Sequence, residues 1–550
     1  MLCLKPARHV RSLLCVLCAM NFTCTEPSFA GDLASEIRDQ ARHKQRRIIY
    51  NSDGGDMYGY DFSSVEEFLA RRTERAVGTQ VDSLFYCTGV TTVYSHDTDV
   101  AERFDDLMDA TGKFGEQAMR WRNNMAVLRK ASVDQLSATV RRAHEAGMEV
   151  FWSHRINDTH DSVLEWDHLL SQWKRQHPEY LMGTPEDAKT YPSPHPRHYW
   201  SSLDFEKPQV RDYLFRVTEE ICQRYDVDGI EIDYCRDPAF FRPNLDGIPA
   251  TKKQLDILTG FQRLVRQMAE REGNKRGRPI LVAGRVPMAV ANCRNVGIDI
   301  ERWLREDLLD LLILGNGTPW PNMPAEELVK LGHKYNVPTY PCIKWSSYGP
   351  ATPEAFRAAA SNAWRTGADG IYFFNIDMFP DTIRPLSFTQ FGDPGKIATL
   401  DKLFAATDTA PYTDRILLLP PGQQYCGLAQ VLPLAMALPA KLSPGPVPHI
   451  VTLQIGDGIA AASERGTLAA AVLTVRMSDP ERIDRIEIGL NGQQVTPTAL
   501  DPEKGRLTFN PKPDLYRVGD NDISFLLEDK AGNGSSPLQV LSVEVQVKYK

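Results

Sequence analysis

From about residue 46 to 380 the chain alternates short apolar runs with longer stretches whose apolar positions recur at helical spacing. That rhythm is the pattern of repeated strand and helix units around a parallel sheet. Eight runs read as strands: Arg47 to Asn51, Ser83 to Thr88, Glu149 to His154, Gly229 to Tyr234, Ile280 to Arg285, Leu311 to Gly315, Thr339 to Ile343 and Gly370 to Asn375. Helices between them carry their own start signals, at Ser64 with Glu67, at Ser132 with Gln135, and at Thr352 before Pro353. Gly147 and Gly367 stand where a helix ends just ahead of a strand. Eight such units predict an α/β fold, a (β/α)8 TIM barrel, in preference to an open sheet, and no Gly-rich phosphate fingerprint follows the first strand.

Two long insertions, Val90 to Ala131 and Arg155 to Lys207, follow strands two and three, which places them on the C-terminal face of the barrel. The second is rich in aromatic and histidine residues, among them Trp166, Trp173, Tyr180, Tyr199 and Trp200, and is expected to wall a cleft. After Pro380 the rhythm stops. A Pro-rich connection over residues 408–446 leads to short alternating strands, Ala470 to Arg476, Arg485 to Leu490, Asp522 to Leu527 and Val540 to Tyr549, with turn signals at Asn491-Gly492 and Gly532-Asn533-Gly534. The expected organisation is a leader (1–30), a lead-in (31–45), a catalytic barrel (46–407), the Pro-rich connection, and a C-terminal all-β sandwich accessory domain (447–550).

The leader reading rests on Lys5, Arg8 and Arg11 ahead of an apolar stretch, Ser12 to Met20, and on the small-residue signature Ser28-Phe29-Ala30. It predicts a signal peptide and a secreted or periplasmic protein with no integral membrane segment once the leader is removed. Of the ten cysteines, Cys87, Cys222, Cys235, Cys293, Cys342 and Cys426 lie beyond the leader, and none forms a CxxC pair. They read as buried small residues, with one or two disulfides left open. The balance of 63 basic and 71 acidic residues, without long single-sign runs, argues against a nucleic-acid partner.

The chemistry concentrates in Asp228-Gly229-Ile230-Glu231-Ile232-Asp233-Tyr234-Cys235-Arg236-Asp237-Pro238. Side chains alternate along a strand, so Glu231 and Asp233 share one face and Ile230 and Ile232 the other. In a barrel the isoleucines meet the helices and the carboxylates face the lumen. Two ionisable groups there are paired or functional, so Asp233 is the first catalytic candidate, weighed against an ion pair with Arg155, Arg236 or Arg285. A hydrolase working through two carboxyls needs a second one across the cleft. Asp377, on the same face as Asn375 by alternation, is the first choice for it and Asp158 the second; strand one also ends in an acidic string, Asn51 to Asp56. His154, Arg155, Tyr199, Trp200, Arg285, Asn316, Lys344, Trp345 and Asn375 are the expected substrate contacts. No cofactor and no obligatory metal is expected, because Asp53-Gly54-Gly55-Asp56 lacks the ligand spacing of a calcium loop.

Three strings, His177 to Leu181, Leu203 to Tyr213 and Tyr225 to Ile230 with Asp233, resemble the glycosyl-hydrolase-like family ten barrel over about residues 45 to 380. The resemblance implies a sugar-active barrel with Asp233 in the catalytic position and a carbohydrate as its partner. This chain departs from that pattern by carrying Glu231 where a neutral or His residue is common and Tyr234-Cys235 where a second acid often follows. A chitinase-type reading aligns Asp228, Glu231 and Asp233 but puts Cys235 in place of the essential glutamate, and a thiol does not replace that proton donor. The expected function is that of an exported glycoside hydrolase-like enzyme. The alternatives are a non-catalytic carbohydrate-binding barrel and a lyase-type barrel with Lys344 or His154 as base.

Overall fold

The structure is a computed structural model, and it describes residues 29–111, 115–191, 195–315, 325–344, 352–406, 438–479, 482, 485–528 and 538–550. Eight parallel strands close into a barrel: β1 (Ile48–Ser52), β2 (Val81–Tyr86), β3 (Glu149–Arg155), β4 (Gly229–Asp233), β5 (Leu281–Val286), β6 (Leu311–Leu314), β7 (Thr339–Lys344) and β8 (Ile371–Phe374). Each coincides with an expected strand to within a residue or two. Alternate residues of every strand fill the lumen, where Ile49, Phe85, Phe151, Leu281, Leu311, Tyr340 and Tyr372 form one apolar cluster. Gly229 is required there: a Cβ in its place would lie 2.2 Å from the Phe151 ring. The outward residues pack on the surrounding helices in a second, larger cluster that includes Ile48, Leu84, Val150, Ile230 and Ile232.

The cap chemistry matches at Ser64, whose side chain accepts from the Glu67 amide, and at Thr352 ahead of Pro353. It differs at the helix Gln135–Glu145. Ser132 sits in the left-handed region at φ 58°, and Asp134 caps the helix in a box with Ser137. Gly147 and Gly367 take positive φ between helix and strand, as the chain reversal there requires.

Beyond the barrel the chain builds two antiparallel sheets that share one apolar core, containing Phe404, Leu453, Val475, Phe509, Phe525 and Val545. Lys402–Ala406, expected within the barrel segment, pairs instead with the final strand Gln539–Tyr549. Ala358, on the barrel helix Pro353–Arg365, is buried in the same core. At this seam Lys402 Nζ lies 2.8 Å from Asp457, which also accepts from Ser361 at 2.6 Å. Most of the Pro-rich connection, the leader to residue 28, Asn316, Trp345, Cys426 and the Gly532-Asn533-Gly534 turn lie outside the described residues. The five described cysteines, Cys87, Cys222, Cys235, Cys293 and Cys342, are free and buried. Among the described residues no helix is long and apolar enough to cross a membrane, and no group of three or more His, Cys, Asp or Glu is placed to hold a metal ion.

Candidate active site

Strand register sets the upper layers of the lumen. Arg155 of β3, Asp233 of β4 and Arg285 of β5 are direct partners across adjacent strands, and Ser153, Glu231 and Ala283 form the row beneath them. Asp233 therefore has an arginine as its register partner on each side. Arg285 holds it at both oxygens, Nε to Oδ1 at 2.9 Å and Nη2 to Oδ2 at 2.6 Å, with neither residue exposed. Oδ1 also accepts from the amides of Cys235 (2.9 Å) and Arg236 (3.2 Å), whereas Oδ2 accepts, among the described residues, from Arg285. The Arg285 guanidinium lies 4.1 Å from the centre of the Phe374 ring, which confines it to this position.

Glu231 occupies the buried row below. Its Oε2 accepts from Ser153 and from the Tyr372 hydroxyl (3.1 Å), while Oε1 is buried with no hydrogen-bond partner among the described residues. Burial, and then the neighbouring Asp233 charge, push its carboxyl up to about 7, so near neutrality it readily holds a proton. Two carboxyls one layer apart thus have different surroundings.

From Arg155 the polar network spreads toward the rim. Its Nη2 donates to Asn375 Oδ1 at 3.1 Å and lies 3.7 Å from Asp53, and Nη1 is 3.4 Å from Asp158. Asn375 in turn donates to Asp53 at 2.7 Å. Asp158 is fully buried and takes the His160 ring at 2.5 Å, and Arg236 donates to the other nitrogen of that ring at 2.8 Å. Although burial opposes its charge, His160, Arg236 and Arg155 hold the Asp158 carboxyl far below the usual carboxylate range.

A cleft of about 460 Å³ opens above this network between the two insertions, lined by Asp53, Tyr58, Trp121, Arg155, His160 and Trp166 among others. Asp53 and Arg155 are the lining residues that join it to the network below, and Glu116, Gln117 and His168 add polar groups to the lining. Trp166 is 41% exposed and stacks on His160, with ring centres 5.8 Å apart, so it offers a free aromatic face to a ligand. Tyr58, Trp121 and His160 carry no distinguishing signal in the sequence pattern, where Asp53 stands behind Asp377 and Asp158. Parity was the available signal for Asp53, which continues the alternation of Ile49 and Asn51.

The structure brings Asp233, Glu231, Arg155, Arg285 and Asn375 together, with Asp158 behind Arg155 and Lys344 at the end of β7. It places Asp377 elsewhere. Asn375 adopts φ 50° and ψ 50°, which breaks the strand alternation and turns Asp377 to the outer side of β1. There Asp377 accepts from Tyr50 (2.6 Å), Ser52 (2.7 Å) and Arg75 (3.1 Å), and Arg72 lies at 3.4 Å. His154 also points away from the lumen, beside Trp152 and 3.1 Å from the Thr218 hydroxyl, and burial pushes its ring down to about 3. Neutral and enclosed, it has no access to the mouth as a base. Trp200 is 4% exposed with its indole N–H bonded to the Ser162 carbonyl, so it anchors the insertion, and the half-buried Tyr199 is not in the cleft lining.

No curated protein matches the chain. Among solved structures it is similar to the PgaB (BpsB) glycoside hydrolase domain from Bordetella bronchiseptica, at 13% identity over 63% of this chain and 99% of that one, with a TM-score of 0.35. It is also similar to alpha-L-fucosidase isoenzyme 2 from Paenibacillus thiaminolyticus, at 14% identity over 64% and 48% of the two chains with a TM-score of 0.36. A third is the GH36 alpha-galactosidase AgaA from Geobacillus stearothermophilus, at 11% identity over 92% and 56% with a TM-score of 0.35. The chain thus spans about half the length of the latter two. Residues 108–246, which run from the first insertion past the end of β4 and include Arg155, Asp158, Glu231 and Asp233, match the family model described as Glycosyl hydrolase-like 10.

Proposed function

We propose that the chain is an exported enzyme that hydrolyses glycosidic bonds of a polysaccharide or oligosaccharide at the C-terminal mouth of its barrel. The observation that carries this reading is the continuity from Asp233 through Arg155 to Asp53 at the floor of a cleft walled by the exposed Trp166. A sugar ring stacks on Trp166, and the scissile bond lies over the floor, with Asp53 as the carboxylate that meets the substrate. Asp233, buried below in its pair with Arg285, does not touch the substrate and contributes negative charge beneath the floor. Glu231 holds a proton beneath Asp233, which keeps a second negative charge out of the lumen. The charged leader directs export, and the C-terminal sheets form an accessory domain seated on the helix Pro353–Arg365.

The purified protein is assayed on a panel of polysaccharides for released reducing ends, alongside Asp53→Asn and Asp233→Asn. Release by the wild type that is lost in Asp53→Asn supports the reading. A second reading, a carbohydrate-binding barrel without catalysis, is favoured by the complete burial of Asp233 in its pair with Arg285. It predicts binding on the same panel with no release by the wild type.

A further inference from the structure

Two glycines follow Asp53 at the end of β1, for different reasons. Gly54 takes φ 77°, where a side chain is strained. Gly55 does not: its φ of -59° and ψ of -16° suit any residue. What a side chain at Gly55 would disturb is space, because a Cβ there would lie 3.1 Å from Asp53 Oδ1 and 3.2 Å from the Tyr58 hydroxyl oxygen. The missing Cβ leaves an opening between a carboxylate oxygen and a phenol. Both residues are partly exposed, and both line the cleft. Asp53 Oδ2 takes the Asn375 amide at 2.7 Å, while Oδ1 accepts from the Gly55 amide at 3.2 Å and, as a carboxylate oxygen, has capacity for another donor.

Tyr58 is fixed beside this opening from two directions. The helix Glu116–Lys130 of the first insertion holds the short helix Asp56–Gly59 and the residue after it by their carbonyls: Asn124 Nδ2 donates to Met57 (2.9 Å) and Tyr60 (2.7 Å), and Arg120 Nη1 to Tyr58 (3.2 Å). The Tyr58 ring leans on Trp121 of the same helix, with centres 5.6 Å apart, and Trp121 stacks on Phe104 at 4.1 Å. The Asp53 charge, and then burial, raise the hydroxyl well above the ordinary phenol value, so it stays protonated and serves as a donor. A donor and an acceptor thus face one opening, the complement of a single hydroxyl group, which accepts through its oxygen and donates through its hydrogen.

We infer that Tyr58 is a substrate-contacting residue, and that the Asp53–Tyr58 pair takes one ring hydroxyl of the bound sugar, Tyr58 donating to the hydroxyl oxygen and the hydroxyl donating to Asp53 Oδ1. This rests on a carbohydrate being the ligand of the cleft and adds the group by which that carbohydrate is held.

The full-length protein is titrated calorimetrically with oligosaccharides of cellulose, chitin, xylan, mannan and starch, as wild type, Tyr58→Phe, Gly55→Ala and Gly59→Ala, with melting followed for each. Tyr58→Phe keeps the ring on Trp121 and removes the donor, so the oligosaccharide that binds best should bind roughly tenfold more weakly at an unchanged melting temperature. Gly55→Ala puts a methyl into the opening and should weaken binding at least as much. Gly59→Ala, whose Cβ meets no described atom within 4 Å, adds the same methyl to the same helix and should bind as the wild type does. Among singly deoxygenated forms of that oligosaccharide, one should bind wild type and Tyr58→Phe equally, because the hydroxyl that Tyr58 meets is gone. Wild-type affinity in Tyr58→Phe, or a loss that every deoxygenated form shows alike, overturns the inference. A wild type that binds none of the five overturns it together with the carbohydrate reading. Reducing-end release is followed in parallel: release with unchanged binding in Tyr58→Phe overturns the pair alone, and Tyr58-dependent binding without release overturns hydrolysis alone.

Discussion

Arg285 and Asp233 face each other in register across β5 and β4 and meet through two hydrogen bonds of 2.9 and 2.6 Å in a fully buried pair. The Asp233 charge is what keeps Arg285 tolerable inside the barrel. Asp233→Asn should therefore destabilise the fold by about 3–5 kcal/mol, by leaving a buried guanidinium uncompensated. Adding Arg285→Met to Asp233→Asn should return much of that stability, because the unpaired charge is gone. Denaturant unfolding of the two single variants and the double variant measures the coupling. Additive effects would remove the pair from the account.

Glu231 gives the barrel a pH signature. Its carboxyl is raised in the folded state to about 7, so between the ordinary carboxylate range and about pH 7 the folded chain retains a proton that the unfolded chain has released. Stability from this group is present at acidic pH and lost as the pH rises across that window, by up to roughly 3 kcal/mol. Glu231→Gln should flatten the dependence. Chemical denaturation at pH 5 and pH 8 checks it, and parallel wild-type and variant slopes would contradict it.

The two tryptophans of the second insertion should behave oppositely. Trp166→Ala removes an exposed face and should weaken glycan binding by about 1 kcal/mol with little effect on melting. Trp200→Ala empties a buried anchor and should cost about 3–5 kcal/mol of stability. Thermal melts with glycan titrations separate the two, and a melting loss in Trp166→Ala would show that it is packing too.

The seam between the barrel and the C-terminal sheets depends on a buried charge. Asp457→Ala leaves Lys402 without its carboxylate, so it should destabilise the seam by about 3–5 kcal/mol and speed proteolysis of the C-terminal sheets. Unchanged proteolysis would mean that the apolar contacts around Ala358 hold the seam alone.

The barrel was legible in the sequence because β4, with Ile230 and Ile232 outward and Glu231 and Asp233 inward, obeys a local alternation that a neighbour does not alter. The same rule failed one residue past β8. The left-handed conformation of Asn375 reversed the direction of Asp377, and only the tertiary bonds of Asn375 to Arg155 and Asp53 reveal why that conformation is held. Lys402–Ala406 was equally opaque, since its partner strand lies over 100 residues later in the chain. Trp200 shows the limit of composition: an aromatic-rich insertion was readable, but which ring stays exposed depends on packing that periodicity does not encode.

In the proposed function a glycosidic bond is cleaved over Asp53. Turnover of a cleaved polysaccharide by Asp53→Asn is measured as reducing ends released per folded molecule. It should fall by at least ~10³-fold, about 4 kcal/mol of transition-state stabilisation, with the melting temperature little changed. An Asp53→Asn protein that folds and turns over at the wild-type rate would contradict it.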